Sequence, residues 1–130
     1  MRKQPTKPLF WVGSSRKDLR GFPEPVKDII GVKDIIGHAL FIAQLGRKHE
    51  DAKPLRGYGG AGVLELVEDF DRDTYRAIYT VKFTDAVYVL HVFQKKSKKG
   101  IETPQKDLDL IKERLRRAEQ DHAIWNKSGE

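Results

Sequence analysis

The chain has 130 residues, a length typical of one domain. Its 25 lysines and arginines outnumber 19 acidic residues, which gives a formal net charge of +6. This charge favours a polyanion such as RNA or DNA as partner. The alternative is a basic surface that serves only solubility. The chain contains no cysteine, which excludes disulfides, thiolate metal sites and a cysteine nucleophile.

The N-terminal part predicts a strand followed by a short helix. Residues 7–12 contain a nearly continuous apolar run, and Gly13 ends it. Ser15 is predicted to cap a helix through residues 17–19, because a serine hydroxyl can accept a hydrogen bond from a free backbone N–H of the first turn. Residues 21–23, which read Gly-Phe-Pro, are predicted to stop that helix.

A second helix is predicted from about Pro25 to Leu45, with Gly46 at its C-terminal cap. Its apolar stripe consists of Val32, Ile35, Ile36, Ala39, Leu40 and Ala43. Residues 26–31 and 32–37 both read VKDIIG. Six residues turn a helix by about 600°, so the two copies face directions about 120° apart. Two readings stay open: a harmless duplication that lengthens the helix, and an extended helix that changes packing or oligomeric state.

After a loop rich in glycine and charge over residues 49–62, the sequence predicts a three-strand antiparallel meander. The predicted strands are Gly62–Glu68, Thr74–Phe83 and Ala86–Gln94, with turns at residues 69–73 and 84–85. Alternation in the second strand predicts one face made of Tyr75, Ala77, Tyr79 and Val81, and an opposite face made of Arg76, Ile78, Thr80 and Lys82. In the third strand, alternation separates Val87, Val89, His91 and Phe93 from Tyr88, Leu90, Val92 and Gln94.

A final helix is predicted to begin with Pro104, with Thr103 as its cap. Its apolar stripe is Leu108, Ile111, Leu115 and Ala118. The ends, about residues 1–6 and 123–130, are expected to be frayed. The order strand, two helices, three strands, helix predicts a single α+β domain over residues 1–130, with the helices on one face of an antiparallel sheet.

Several kinds of catalytic site have no sequence support. The four histidines, His38, His49, His91 and His122, lack the spacing of a metal clamp, and we expect neither a metal nor another cofactor. No P-loop and no GxSxG motif occurs. The glycine-rich stretch 57–62 is a weak phosphate-loop candidate, because no predicted helix follows it, and a flexible connector is the alternative.

Cations and aromatic residues form a candidate nucleic-acid face. Lysines can neutralise phosphates, and aromatic rings can stack on unpaired bases. The candidates for contact with RNA are Lys53, Arg56, Tyr58, Phe93, Lys96, Lys98 and Lys99. Simpler explanations stay open for these cations and for two further polar residues. The lysine run is also typical of a solvated loop. His91 is also typical of a core histidine, and Arg76 could simply pair with Glu65 across the sheet.

The chain resembles the RelE/ParE toxin superfamily, and within it the phage-derived HigB-like branch. The resemblance covers roughly residues 8–119. The residues that carry it are the strand residues Leu64, Glu65 and Leu66; Tyr75, Arg76 and Tyr79; Leu90, His91, Phe93, Lys95 and Lys96; then Thr103 and Pro104, preceded by the loop Lys53-Pro54-Leu55. Three features depart from the pattern: Val67 stands where many relatives have arginine, residues 98–102 lengthen the link to Thr103, and the VKDIIG duplication is unexpected.

The resemblance implies the small sheet of microbial ribonucleases and the toxin of a type II toxin-antitoxin system. HigB and RelE toxins cut mRNA without a metal, usually on the ribosome, whereas ParE relatives poison DNA gyrase. The implied partners are therefore mRNA, the ribosome and a helix-turn-helix antitoxin. A gyrase-inhibiting toxin and an inactive nucleic-acid-binding relative are the alternatives. No run approaches the ~18 apolar residues of a membrane span, so we expect a soluble, cytoplasmic protein without a membrane partner.

For cleavage, the ribose 2′-hydroxyl would attack the adjacent phosphorus, which requires proton transfer and positive charge around the phosphate. Arg76 and Lys95 are our candidates for that charge, and His91 or Tyr79 for moving protons. Strict alternation places Arg76 and Tyr79 on opposite faces of one strand. They cannot both join the face of His91, Phe93 and Lys95 unless a strand contains a bulge.

Overall fold

The computed structural model describes residues 6–24, 31–58, 62–70, 72–95 and 103–128. Its elements are β1 (Leu9–Trp11), α1 (Ser15–Arg20), α2 (Val32–Gln44), β2 (Lys53–Pro54), β3 (Val63–Phe70), β4 (Asp73–Thr80), β5 (Val87–Lys95) and α3 (Gln105–Ser128). The strands form one sheet in the order β1-β5-β4-β3-β2, with β1 parallel to β5 and the other pairs antiparallel. The predicted α+β class and the meander β3-β4-β5 are confirmed, whereas the short edge strand β2 lies in a segment predicted to be loop.

Helices cover both faces of the sheet, so the prediction of one covered face was wrong. On one side, here called the α2 face, Ile36 and Leu40 pack with Tyr75, Ala77 and Tyr79. On the other side, the α3 face, the helix α3 packs on the sheet through a separate cluster that contains Ile78, Leu90, Ile111 and Ala118. Two apolar sheet faces require two covers, because each face must be removed from water.

A bulge in β5 changes which side chains share a face. Ile78 pairs with His91, but the next residue, Tyr79, pairs with Val89, so Leu90 has no cross-strand partner in this register. An extra residue shifts the alternation of every residue beyond it. The predicted alternation of β5 therefore holds up to Val89 and is reversed from His91 onward.

The helix boundaries differ from the predicted ones near their N-termini. Ser14 lies at the cap position of α1, and Ser15 is its first residue, buried, with its hydroxyl directed at the Val89 carbonyl at 3.3 Å. The helix α2 begins at Val32 rather than near Pro25, because Gly31 has extended backbone angles and donates its N–H to the Asp34 carboxylate at 3.3 Å. The first VKDIIG copy lies, apart from Gly31, outside the described residues.

The predicted apolar stripes of α2 and α3 are confirmed. In α2, Ile35 is partly buried and the other stripe residues are fully buried, and Gly46 follows the helix with φ +83°. The helix α3 continues to Ser128, where the sequence predicted a frayed end, and Trp125 packs edge-on against Phe10 with ring centroids 5.7 Å apart. Within the described ranges, no helix is both long and apolar enough to cross a bilayer.

Candidate active site

Arg76 lies at the centre of a polar cluster on the α3 face. Its Nη1 donates to Glu65 Oε2 at 3.2 Å and to Thr103 Oγ1 at 3.1 Å, and the Thr103 hydroxyl donates to Glu65 Oε2 at 2.7 Å. The Arg76 side chain is 3% exposed and that of Glu65 is 19% exposed. The anticipated cross-strand pair of Arg76 and Glu65 is thus present. The carboxylate is the more accessible member.

Thr103 has a different role from the predicted helix cap. The first turn of α3 uses the Pro104 carbonyl, which accepts the N–H groups of Asp107 and Leu108 at 3.0 Å each. The Thr103 hydroxyl is therefore available to Arg76 and Glu65, whose charges make stronger hydrogen-bond partners than a backbone N–H. The Thr-Pro pair joins the last helix to the polar cluster on the sheet.

The β5 bulge brings Phe93 and Lys95 to the face of Arg76. Arg76 pairs with Phe93 in register, and Thr74 pairs with Lys95. Directly opposed residues in an antiparallel pair point to the same side of the sheet. Arg76, Phe93 and Lys95 therefore share the α3 face with Glu65, which pairs with Ile78.

Tyr79 does not join this group. It pairs with Val89 and lies within the core on the α2 face, with a fully buried side chain. Its hydroxyl has no hydrogen-bond partner among the described residues. Burial raises the pKa of Tyr79 to about 12, because a phenolate cannot be hydrated there. The structure separates Tyr79 from the other three catalytic candidates by the thickness of the sheet.

His91 is on the α3 face, but both of its ring nitrogens are engaged. Nε2 lies 2.8 Å from Asp107 Oδ1, and Nδ1 lies 3.4 Å from Nη1 of Arg114. Because a guanidinium only donates, we assign Nδ1 as the acceptor and place the proton of the neutral ring on Nε2, where it is donated to Asp107. His91 is 6% exposed. This environment is that of a core histidine that joins α3 to β5.

Arg114 connects three elements beneath the site. Besides His91, it donates to the Leu90 carbonyl at 3.0 Å and to the Ser14 hydroxyl at 3.1 Å. Burial lowers the pKa of Arg114. Gly13 has φ +60°, and a Cβ there would lie 2.9 Å from the guanidinium. The glycine is needed both for this backbone conformation and for the space that Arg114 occupies.

Glu65, Thr103, Asp107 and Arg114 were not among the predicted site residues. The sequence identifies Glu65 as part of the resemblance and as a possible partner of Arg76, and Thr103 as part of the resemblance and as a helix cap, but it assigns neither a role in the site. Asp107, Ile111, Arg114 and Ala118 follow one another at intervals of four, three and four residues, which places them on one face of the helix. Polar residues inside an apolar stripe were the available sequence signal, because buried polar groups require specific partners.

The structure places the predicted RNA-contact residues in different surroundings. Lys53 is exposed and pairs in register with Glu65, so it lies on the α3 face at the sheet edge. Arg56 is exposed in the following turn. The Tyr58 hydroxyl donates to the Leu108 carbonyl at 3.4 Å, and burial, aided by Asp109, raises the pKa of Tyr58. Lys96, Lys98 and Lys99 lie outside the described residues.

Glu68, on the α2 face, also has a perturbed pKa. Burial, together with the nearby carboxylates of Asp51 and Asp69, raises the pKa of Glu68 to about 7. Glu68 pairs in register with Tyr75, on the opposite side of the sheet from Arg76. Among the residues that the structure describes, no group of three or more His, Asp or Glu side chains is arranged to hold a metal ion.

Comparison with known proteins gives one finding. A family model described as "phage derived protein Gp49-like (DUF891)" matches residues 17–116, which include β2 to β5 and the first half of α3. No curated protein and no solved structure matches the chain.

Proposed function

The chain belongs to the Gp49-like family of phage-derived proteins, a toxin-like family related to RelE/ParE-type toxins, and from that premise we propose that it is an mRNA-cleaving toxin. In this proposal it acts as a metal-independent endoribonuclease of the HigB type, on mRNA at the ribosome, and a helix-turn-helix antitoxin neutralises it. The observation that carries the proposal is the β5 bulge, which places Phe93 and Lys95 on the face that Glu65 and Arg76 already share.

The proposed chemistry is transfer of the RNA phosphate to the neighbouring ribose oxygen. The 2′ oxygen forms a bond to phosphorus, the bond from phosphorus to the 5′ oxygen breaks, and a cyclic phosphate and a 5′-hydroxyl result. The Glu65 carboxylate accepts the 2′-hydroxyl proton, because it is the accessible acceptor of the cluster. The Lys95 ammonium returns a proton to the leaving 5′ oxygen and supplies positive charge near the phosphate.

Arg76 then has two roles. Its hydrogen bond to Glu65 orients the carboxylate. Its buried positive charge also stabilises the negative phosphate, because electrostatic attraction is stronger in the low-dielectric interior than in water. Lys53, opposite Glu65 on β2, contacts the RNA backbone. His91 and Tyr79 move no proton in this scheme, since His91 is held by Asp107 and Arg114 and Tyr79 lies on the other face.

The test is induced expression in cells that contain no antitoxin, with growth recorded and new 5′ ends of mRNA mapped. Lys95→Ala and Glu65→Gln are compared with Lys112→Ala, which removes an exposed lysine from the outer surface of α3. We expect growth arrest and new mRNA ends with the wild type and Lys112→Ala. Loss of one group that transfers a proton lowers cleavage by about 10²–10⁴-fold, so both site variants should permit growth.

Growth arrest with intact mRNA and damaged DNA would overturn the nuclease proposal in favour of gyrase inhibition. Full toxicity of folded Glu65→Gln would remove Glu65 from the mechanism. Circular dichroism and thermal unfolding of each purified variant distinguish loss of function from loss of structure.

A catalytically inactive nucleic-acid-binding protein is the second candidate, and Val67 favours it. Val67 pairs in register with Arg76 on the α3 face and is 38% exposed, at a position where many RelE-like toxins have an arginine. Arg76 itself is almost completely buried. Normal growth on expression of a folded wild-type protein that retains RNA binding would support this second candidate.

A further inference from the structure

A groove lies between α1 and the edge of β5, next to the proposed active site. Its volume is about 500 Å³, within the range of ~300–1,000 Å³ of small-ligand sites. One wall is formed by Lys17, Asp18, Gly21 and Phe22, and the other by His91, Val92, Phe93 and Gln94. The strand β1 pairs with β5 only as far as Val89, and no other strand in the described ranges pairs with that edge at residues 91–94.

The groove has a fixed aromatic wall. The rings of His91 and Phe93 are stacked, with centroids 4.6 Å apart and planes 16° apart. Asp107 and Arg114 hold the His91 ring from its two nitrogens. Phe93 is only partly buried and contributes to the lining of the groove, so part of its ring is open to a ligand there. A base stacked there would extend an existing stack at little cost in side-chain order.

The charges of the groove favour a nucleic acid over an apolar ligand. Lys17 is exposed at the rim, and Lys95 lies at the end of the aromatic wall. The carboxylate of Asp18 accepts a hydrogen bond from the Ser14 hydroxyl at 2.7 Å, and its negative charge is balanced by its electrostatic interaction with Arg114. The Gln94 amide donates to Asp73 at 2.6 Å. A positive rim beside an aromatic platform is the combination that binds single-stranded nucleic acid.

We propose that this groove binds one nucleobase of single-stranded RNA, next to the nucleotide that is cleaved. The base stacks on Phe93, and Lys17 contacts its phosphate. Phe93 is the cross-strand partner of Arg76, so their Cβ atoms are about 5 Å apart and the groove lies one nucleotide from the Glu65–Arg76 cluster. This inference rests on the proposed function for its substrate and adds a base-binding site that the catalytic cluster lacks.

Gly21 offers a way to fill the groove without changing the fold. It follows α1 with φ −79° and ψ −5°, angles that any residue adopts, and an added Cβ would meet no other atom closer than 3.5 Å. Gly21→Leu therefore places an aliphatic side chain in the groove, one that cannot replace the stacking of a base. Gly21→Ala adds only the Cβ and is the matched control.

The assay is fluorescence anisotropy with a labelled 2′-O-methyl RNA hexamer, which cannot be cleaved, and with hexamers in which each position in turn is abasic. For the wild type and Gly21→Ala we expect one abasic position to lower affinity roughly 5- to 150-fold, the effect of one lost base stack. For Gly21→Leu we expect a similar loss with the intact hexamer and no further loss at that abasic position.

Equal affinity of the wild type and Gly21→Leu for the intact hexamer would overturn the groove assignment, as would the same abasic penalty in both proteins or no binding by the wild type. If mRNA is cleaved in cells but Gly21→Leu leaves the penalty of the abasic position unchanged, the groove inference fails and the nuclease proposal survives. If Gly21→Leu abolishes the penalty of that abasic position but no mRNA is cleaved in cells, the base site is supported and the nuclease proposal fails.

Discussion

Substitution of Tyr79 by phenylalanine tests the assignment of faces in the sheet. Tyr79 is completely buried, and its hydroxyl has no partner among the described residues. A buried hydroxyl without a hydrogen bond costs about 1–3 kcal/mol. Tyr79→Phe removes that oxygen and keeps the ring. We expect the free energy of unfolding at neutral pH to rise by about 1 kcal/mol, which raises Tm by about 3–5 °C in a protein of this size.

The pH dependence gives a second, independent magnitude. The pKa of Tyr79 rises from 10.0 to about 12 on folding, so at alkaline pH the unfolded chain loses its proton first. Stability from this group is complete below pH 10 and is lost as the pH rises toward 12. Between pH 9 and pH 11 the wild type should lose about 1 kcal/mol of stability relative to Tyr79→Phe, because the unfolded chain releases the tyrosine proton in this range and the folded chain does not.

Urea unfolding followed by far-ultraviolet circular dichroism measures both effects, because this signal does not depend on tyrosine ionisation. Tyr79→Ala is the control for burial of the ring and should cost about 3–5 kcal/mol. A loss of more than about 1 kcal/mol in Tyr79→Phe would show that the hydroxyl has a partner, contrary to the reasoning. Loss of toxicity in a stably folded Tyr79→Phe would show that Tyr79 acts in the site.

Two further predictions concern residues outside the catalytic cluster. Glu68, whose pKa rises to about 7, holds a proton in the folded state that the unfolded chain releases from about pH 4.5 upward, so this contribution to stability is lost as the pH rises through 7. Glu68→Gln should gain stability relative to the wild type between pH 5 and pH 8 in urea titrations, and parallel profiles would contradict this. Gly13→Ala should cost at least about 1–2 kcal/mol, from the left-handed backbone and contact with Arg114, whereas Gly21→Ala should change stability by less than about 0.5 kcal/mol. Equal midpoints of thermal unfolding for the two alanine variants would refute that difference.

The elements of this fold could be predicted because their signals are local. The apolar stripes of α2 and α3, the glycine after α2 and the alternation of β4 depend on residues within a few positions of one another. The beginning of α2 was misplaced because Pro25 is a favourable start in isolation, whereas Gly31 adopts the cap conformation in the folded chain. The edge strand β2 escaped prediction because two residues carry no periodicity.

The sequence by itself determined the α+β class, the order of the central strands and the residue types available for RNA chemistry, since these follow from composition and short-range periodicity. Only the tertiary structure decided which of those residues meet. The bulge at Leu90 depends on pairing with β4, and it places Phe93 and Lys95 beside Arg76 and leaves Tyr79 in the opposite core. The partners of His91 come from α3, sixteen and twenty-three residues further along the chain. Such contacts depend on how the helices pack on the two faces of the sheet, and the residue pattern within a single helix or strand does not specify that packing.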